Sequence, residues 1–121
     1  MKKVYYLRNC NTCKRILKEV NPDDDFEMID IKTENITEPE LDKLAEMTGN
    51  YESLFNKQAR KYRELGLNQK SLNEDDFRSL ILEDYTFLRR PVFLIDDKIF
   101  VGNKKDTINQ LVVFIDQIRR N

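Results

Sequence analysis

The sequence contains no histidine, and only two of its 121 residues are cysteine. Without imidazole, neither a Cys–His nor a Ser–His nucleophile pair can form, and the usual general base near neutral pH is absent. Metal chemistry loses its commonest ligand, and two thiolates cannot fill a four-coordinate zinc site unless carboxylates or a second chain complete it. We therefore expect no metal site, and redox chemistry of the two thiols remains the best-supplied reaction.

The chain also lacks net charge and long apolar runs. Its 21 basic and 22 acidic side chains leave a net charge of −1, so no global field favours nucleic acid, a membrane surface or a polyanion. The apolar stretch between Lys3 and Arg8 is too short for a signal-peptide core, and no other run approaches a membrane span. We expect a cytoplasmic protein with reduced thiols and no permanent disulfide, with neither nucleic acid nor membrane as a direct partner.

The first third of the chain has the pattern of a βαβ unit. Residues 3–7 are β-branched and aromatic and predict a strand, and residues 26–31 predict a second one. Between them, a stripe with helical spacing predicts an amphipathic helix that begins near Cys10; its apolar residues are Cys13, Ile16, Leu17 and Val20. Strand, helix and strand over about thirty residues indicate that the two strands are parallel.

The middle of the chain, residues 37–85, has helical signals and no strand signal. A capping box at Thr37 and Glu40 begins one helix, Gly49 ends it, and Asn73 begins another. Between these two helices, residues 52–67 have apolar side chains at mixed helical spacings. Strand character returns at 91–96 and 98–102, which predict an antiparallel hairpin, and a helix follows from about Lys104. The predicted order is βαβ, a helical insertion, then ββα, within one domain.

The two cysteines form a CxxC motif at the start of the first predicted helix. The unpaired N–H groups there carry partial positive charge that stabilises a thiolate, and Arg8, Lys14 and Arg15 lie close in sequence. Cys13 belongs to the buried stripe, whereas Cys10 lies at the exposed end. This arrangement predicts that Cys10 attacks and that Cys13 resolves a mixed disulfide. The alternative is that both are merely small buried residues, as free cysteines often are.

A second candidate feature is the sequence Arg89-Arg90-Pro91 at the start of the third strand. Proline is tolerated at the first residue of a strand, so a purely structural role is the default. Arg90, taken alone, has the properties of a solvated surface charge. Four segments, "CNTCKR", "SLFNKQARKYRELGL", "LRRPVFLID" and "IFVGNKKDTI", together resemble the arsenate reductase (ArsC)-like family, which includes the Spx regulators, over nearly the whole chain.

This resemblance implies a thioredoxin-like α/β fold: a four-stranded mixed sheet formed by residues 1–36 and 86–121, with residues 37–85 inserted, in a single domain over 1–121. It also implies that Pro91 is cis and faces the Cys10 site, that Cys10 is the nucleophile, and that Arg90 is the arginine beside the cis-proline. Together with the thiols, Asn11, Thr12, Asn56 and Pro91 are the candidate substrate-binding residues.

The chain departs from the family pattern in ways that bear on function. Arsenate reductases of this fold use three oxyanion-binding arginines; by alignment, the first falls at Asn56 and the third near Gly102, so only Arg90 is kept. The added Cys13 and the "VGN" after the last strand are more similar to the Spx branch. We expect a poor arsenate reductase.

Two functions of different classes follow. The first is a thiol-dependent reductase of a small oxidised substrate, with no bound cofactor. Electrons would come from glutathione or from a thioredoxin or glutaredoxin system, so glutathione and a thioredoxin-like protein are expected partners. The second is an Spx-like regulator in which the Cys10–Cys13 disulfide switches binding to RNA polymerase, with an exposed contact patch around residues 49–53 and Arg90.

Overall fold

The computed structural model describes residues 1–120. Along the chain, the elements are β1 (Lys2–Tyr6), α1 (Asn11–Val20), β2 (Glu27–Asp30), α2 (Glu38–Thr48), α3 (Arg60–Glu64), α4 (Glu74–Glu83), β3 (Val92–Ile95), β4 (Lys98–Val101) and α5 (Lys105–Arg120). Short 3₁₀ helices lie at Glu52–Leu54, Leu67–Gln69 and Tyr85–Phe87. The chain divides into two compact units, Met1–Asp30 with the chain from Arg90 onward, and Ile31–Arg89.

The first unit contains a four-stranded mixed sheet in the order β2-β1-β3-β4. β1 and β2 are parallel, with Val4 opposite Met28, whereas β3 is antiparallel to both β1 and β4. The parallel pair confirms the βαβ prediction, and the β3–β4 pair confirms the hairpin. Its turn requires a left-handed backbone at Asp96, with φ of 52°, which aspartate tolerates better than most side chains.

Helices α1 and α5 pack on one face of this sheet. Their buried side chains meet those of the strands in one cluster: Val4, Ile16, Val20, Phe26, Phe93, Ile95, Ile108, Leu111 and Ile115. Each fully buried aliphatic side chain of this kind contributes about 1.5–3 kcal/mol relative to an exposed one. The helical stripes expected from the sequence therefore hold α1 against the sheet, and α1 carries both cysteines.

The second unit is mostly helical and contains an aromatic core. Phe55 lies at its centre, with ring centroids 4.9 Å from Phe77, 5.2 Å from Phe87 and 5.7 Å from Tyr62. The predicted capping box at Thr37 is confirmed, and Gly49 ends α2 with a φ of 103°. Within residues 1–120, no helix has the length and apolar character needed to span a membrane.

The structure differs from the sequence prediction between residues 52 and 67. The helical spacings there form only α3 and two 3₁₀ turns, because the Asn56 carboxamide accepts the backbone N–H of Gln58 and offers the backbone an alternative to a helix. Phe55 also forms an isolated antiparallel bridge to Leu88, and the Asn56 N–H donates to the Phe87 carbonyl at 2.7 Å.

Candidate functional site

Cys10 is the N-cap residue of α1. Its backbone is extended, with φ of −96° and ψ of 118°, and its N–H donates to the Leu7 carbonyl at 3.1 Å. Its own carbonyl accepts the N–H of Lys14 at 3.0 Å, which is the first helical hydrogen bond. No acidic residue lies in the first turn of α1. The unpaired N–H groups at this helix end therefore favour negative charge on the Cys10 sulfur.

The two cysteines are free and lie 3.9 Å apart. Cys10 is partly exposed, whereas Cys13 is 0% exposed. Only Cys10 can therefore contact an external molecule without local unfolding. Cys13 can contact only a group that is already attached to Cys10.

The pKa of the Cys10 thiol is lowered. Partial burial, the largest single influence, raises the pKa. Hydrogen bonds from the backbone and thiol of Cys13 and from the backbone of Thr12 lower it, as does the charge of Arg90, and together these outweigh burial. These donors stabilise the thiolate because they bind the charged form more strongly than the neutral one. Cys10 is therefore the more acidic of the two thiols.

Burial raises the pKa of the Cys13 thiol to about 11. A backbone hydrogen bond from Leu7 and the charge of Arg90 act in the opposite direction, but the negative charge of Cys10 and the hydrogen bond to it raise the value further. The same hydrogen bond therefore lowers the pKa of Cys10 and raises that of Cys13, so Cys10 loses its proton before Cys13.

Arg90 is the cation whose charge lowers the pKa of both thiols. It lies about eighty residues from them in sequence, in the first unit, shortly before β3. The Arg90–Pro91 peptide bond is cis, as the resemblance implied, and the Pro91 carbonyl accepts the N–H of Gly102 at 2.9 Å. Of the cations expected near the motif, Arg8 instead lies 3.9 Å from the carboxylate of Asp30.

The remaining predicted residues have different settings. Asn11 and Thr12 form the first turn of α1, and the backbone of Thr12 hydrogen-bonds to the Cys10 sulfur. Asn56 belongs to the second unit, where its amide group donates to the Thr86 carbonyl at 3.2 Å and accepts from Gln58. Substrate contacts by these residues stay a prediction. Sequence reasoning missed the role of Leu7, which no residue-type signal marks because only its backbone is used.

Comparison with known proteins identifies the family of this chain. The model of the ArsC family matches residues 5–111. The chain is 29% identical to the uncharacterised protein YusI of Bacillus subtilis (strain 168) over 110 residues, which are 88% of this chain and 93% of YusI.

Solved structures agree with this assignment. A Staphylococcus aureus COL protein solved by NMR is 34% identical, with a TM-score of 0.71 over 91% of this chain and 97% of that one. An arsenate reductase (ArsC) related protein from Brucella melitensis is 26% identical, with a TM-score of 0.68 over 90% and 92% of the two chains. The predicted thioredoxin-like α/β fold is confirmed by this likeness.

Proposed function

This chain belongs to the ArsC family, and on that premise we propose that it is a thiol-dependent reductase in which Cys10 attacks an oxidised substrate. The observation that carries the proposal is the divergence of the two pKa values, lowered for Cys10 and raised to about 11 for Cys13. An accessible thiol with a lowered pKa beside a protonated, buried thiol favours attack by the first and resolution by the second in thiol–disulfide exchange.

The first step is attack by the Cys10 thiolate on one sulfur of a substrate disulfide. A bond forms between that sulfur and Cys10, the substrate S–S bond breaks, and the other substrate sulfur leaves as a thiolate that takes a proton from solvent. Arg90 stabilises negative charge at this point, since its guanidinium already acts on both cysteine sulfurs.

The second step is release of the bound half of the substrate by Cys13. Once Cys10 is in a mixed disulfide, its negative charge is gone, and with it one of the influences that raise the pKa of Cys13. Cys13 then loses its proton more readily and attacks the Cys10 sulfur. The products are a Cys10–Cys13 disulfide and a reduced substrate thiol, so two electrons have passed from the protein to the substrate.

We propose that glutathione, or a thioredoxin or glutaredoxin system, returns those electrons by reducing the Cys10–Cys13 disulfide. Attack from outside falls on Cys10, because Cys13 is 0% exposed. No bound organic cofactor is required for this cycle.

The test is turnover of a small disulfide and of glutathionylated peptide with glutathione or thioredoxin as reductant. We expect turnover by the natural protein, one trapped mixed disulfide on Cys10 in Cys13→Ser, and neither in Cys10→Ser. Absence of turnover, together with capture of RNA polymerase by the oxidised protein alone, would replace this proposal with the Spx-like regulator. Identifying what stays attached to Cys10 in Cys13→Ser would name the substrate.

A further inference from the structure

A groove lined by uncharged side chains lies between the open edge of the sheet and the neighbouring face of α5. β4 is an edge strand, and a groove of about 400 Å³ beside it is lined by Phe100, Asn109, Gln110, Val113, Phe114 and Gln117. None of these six side chains is charged, although 36% of the residues in the chain are. Val113 is 56% exposed. Depletion of charge around exposed apolar side chains is the compositional signature of a protein–protein interface.

The backbone groups that β4 offers to a partner follow from its register. Gly102 donates to the Pro91 carbonyl, so in the antiparallel β3–β4 ladder the pairs Phe93–Phe100 and Ile95–Lys98 are the hydrogen-bonded ones. The intervening residues, Ile99 and Val101, therefore direct their N–H and C=O groups away from β3. An added strand would bond to these two residues.

The sequence of this edge is complementary to itself in the antiparallel direction. In "DDKIFVGNKK", residues 96–105, two acids precede the apolar centre and two lysines follow it. Antiparallel pairing centred on Phe100 sets Ile99 opposite Val101 of the second strand, so the outward-facing groups of both strands meet. The same register sets Lys98 opposite Gly102, which avoids a contact between like charges.

Charge complementarity then appears at both ends of this pairing. The acidic turn before β4 of one copy, residues 96–97, comes to the end of β4 of the other copy, where Lys104 and Lys105 follow, and the two-fold symmetry repeats this approach. Asp96 already binds the amino-terminal nitrogen at 2.6 Å. In a register shifted by one residue, Ile99 or Val101 lies opposite Phe100. The N–H and C=O groups of Phe100 point towards β3, so they cannot bond to the added strand. Shifting by two in one direction moves Lys98 towards the lysines that follow β4 of the other copy, Lys104 and Lys105.

We propose that this surface binds a second copy of the chain, with the two β4 strands joined antiparallel about Phe100 into one continuous sheet. The grooves of the two copies then lie beside the two-fold axis, and Val113 of each α5 packs against the other copy. This pairing also protects an edge strand that would otherwise present unpaired backbone groups. It does not depend on the thiol chemistry of Cys10.

The test is the oligomeric state of the natural protein, measured by sedimentation equilibrium from low to high micromolar concentration. We expect a monomer–dimer transition towards twice the monomer mass of 14.5 kDa. Val113→Lys should move the midpoint by about tenfold or more to higher concentration, or abolish the dimer, because it buries two ammonium groups near the axis. The matched control is Leu65→Lys, since Leu65 has the same 56% exposure and lies outside this surface; its midpoint should not move.

A charge-swap series tests the antiparallel direction of the pairing. Asp97→Lys and Lys104→Asp should each weaken the dimer, and the double variant should restore it. Lys104 is the N-cap residue of α5, since its carbonyl accepts the N–H of Ile108, so Lys104→Asp should stabilise the monomer while it weakens the dimer. A monomer at every concentration, or a dimer indifferent to Val113→Lys, would overturn the proposal. Failure of the double variant to recover would overturn the antiparallel direction of the pairing.

Discussion

Removal of Cys10 should change the acidity of Cys13 in a defined way. The pKa of Cys13 is about 11, against an ordinary 9.0, with burial as its largest cause and the charge and hydrogen bond of Cys10 as further ones. Cys10→Ala removes the latter two and leaves the burial. We therefore expect the pKa of Cys13 to fall below about 11 in this variant but to stay above the ordinary value.

The consequence for reactivity is large. With a pKa of about 11, about one Cys13 in ten thousand is a thiolate at neutral pH. Because only the thiolate is alkylated and Cys13 is also buried, iodoacetamide at neutral or mildly acidic pH should modify Cys10 first and almost completely before any Cys13 reacts.

The assay is thiolate absorbance in the ultraviolet as a function of pH for the natural protein, Cys10→Ala and Cys13→Ser, with alkylation sites mapped by mass spectrometry. In Cys13→Ser, Cys10 is the remaining thiol, and its pKa should lie below that of an ordinary thiol. The reasoning is refuted if Cys13 is labelled first, or if its ionisation does not move in Cys10→Ala.

The same shift predicts how stability depends on pH. A thiol whose pKa is raised on folding contributes stability that is present below its unfolded pKa and is lost as the pH rises through the folded value. For Cys13 this window runs from about pH 9 to about 11, and two pH units correspond to about 3 kcal/mol. Urea unfolding of the natural protein against Cys13→Ser across this window measures the difference. The pKa of Cys10 is lowered on folding, so its contribution to stability changes at pH values below this window and is lost as the pH falls.

Three further predictions concern other parts of the molecule. Arg90→Gln should raise the pKa of Cys10 and slow its alkylation at mildly acidic pH. The control is Arg89→Gln, which loses a hydrogen bond to a backbone carbonyl at 3.1 Å and should leave the pKa of Cys10 and its alkylation unchanged. Equal effects of the two substitutions would contradict the role of Arg90. Phe55→Ala should lower the free energy of unfolding by about 3–5 kcal/mol, against about 0.5 kcal/mol or less for Leu65→Ala at an exposed position, measured by urea unfolding. Arsenate reduction with glutathione and glutaredoxin should be slow, and robust turnover that Cys10→Ser abolishes would show this expectation to be wrong.

The expectation about arsenate rests on the donors available to an oxyanion. Arginine binds such an anion through a planar fork that few other side chains match. By the alignment used above, the third expected arginine falls near Gly102, whose N–H already donates to Pro91. The first falls at Asn56, whose amide is engaged by Thr86 and Gln58. A hydrogen bond to a charged group contributes about 1.5–3 kcal/mol, so we expect two missing arginines to weaken oxyanion binding by a factor of hundreds or more.

Elements with a local physical cause were predictable from the sequence. The Thr37 capping box, the apolar stripe of α1 and the β3–β4 hairpin each depend on residues within one or two turns of each other, and each is present as predicted. Local spacing failed between residues 52 and 67, where the Asn56 carboxamide and the Phe55 bridge to Leu88 override helical periodicity. Asn73 was predicted only as the start of a helix. The structure shows that it forms a capping box with Asp76, which the sequence pattern did not indicate because the partner is aspartate rather than glutamate.

What local patterns could not supply is the electrostatic setting of the two thiols. The CxxC spacing and the helix start were visible in the sequence, but the pKa of about 11 for Cys13 arises from complete burial, which depends on how α1 packs on the sheet. Arg90 acts on both sulfurs from a position remote in sequence, and only the resemblance to a family pointed to it. Helix position is set by neighbouring residues and can be read from them; burial and the approach of a distant charge exist only once the strands have paired.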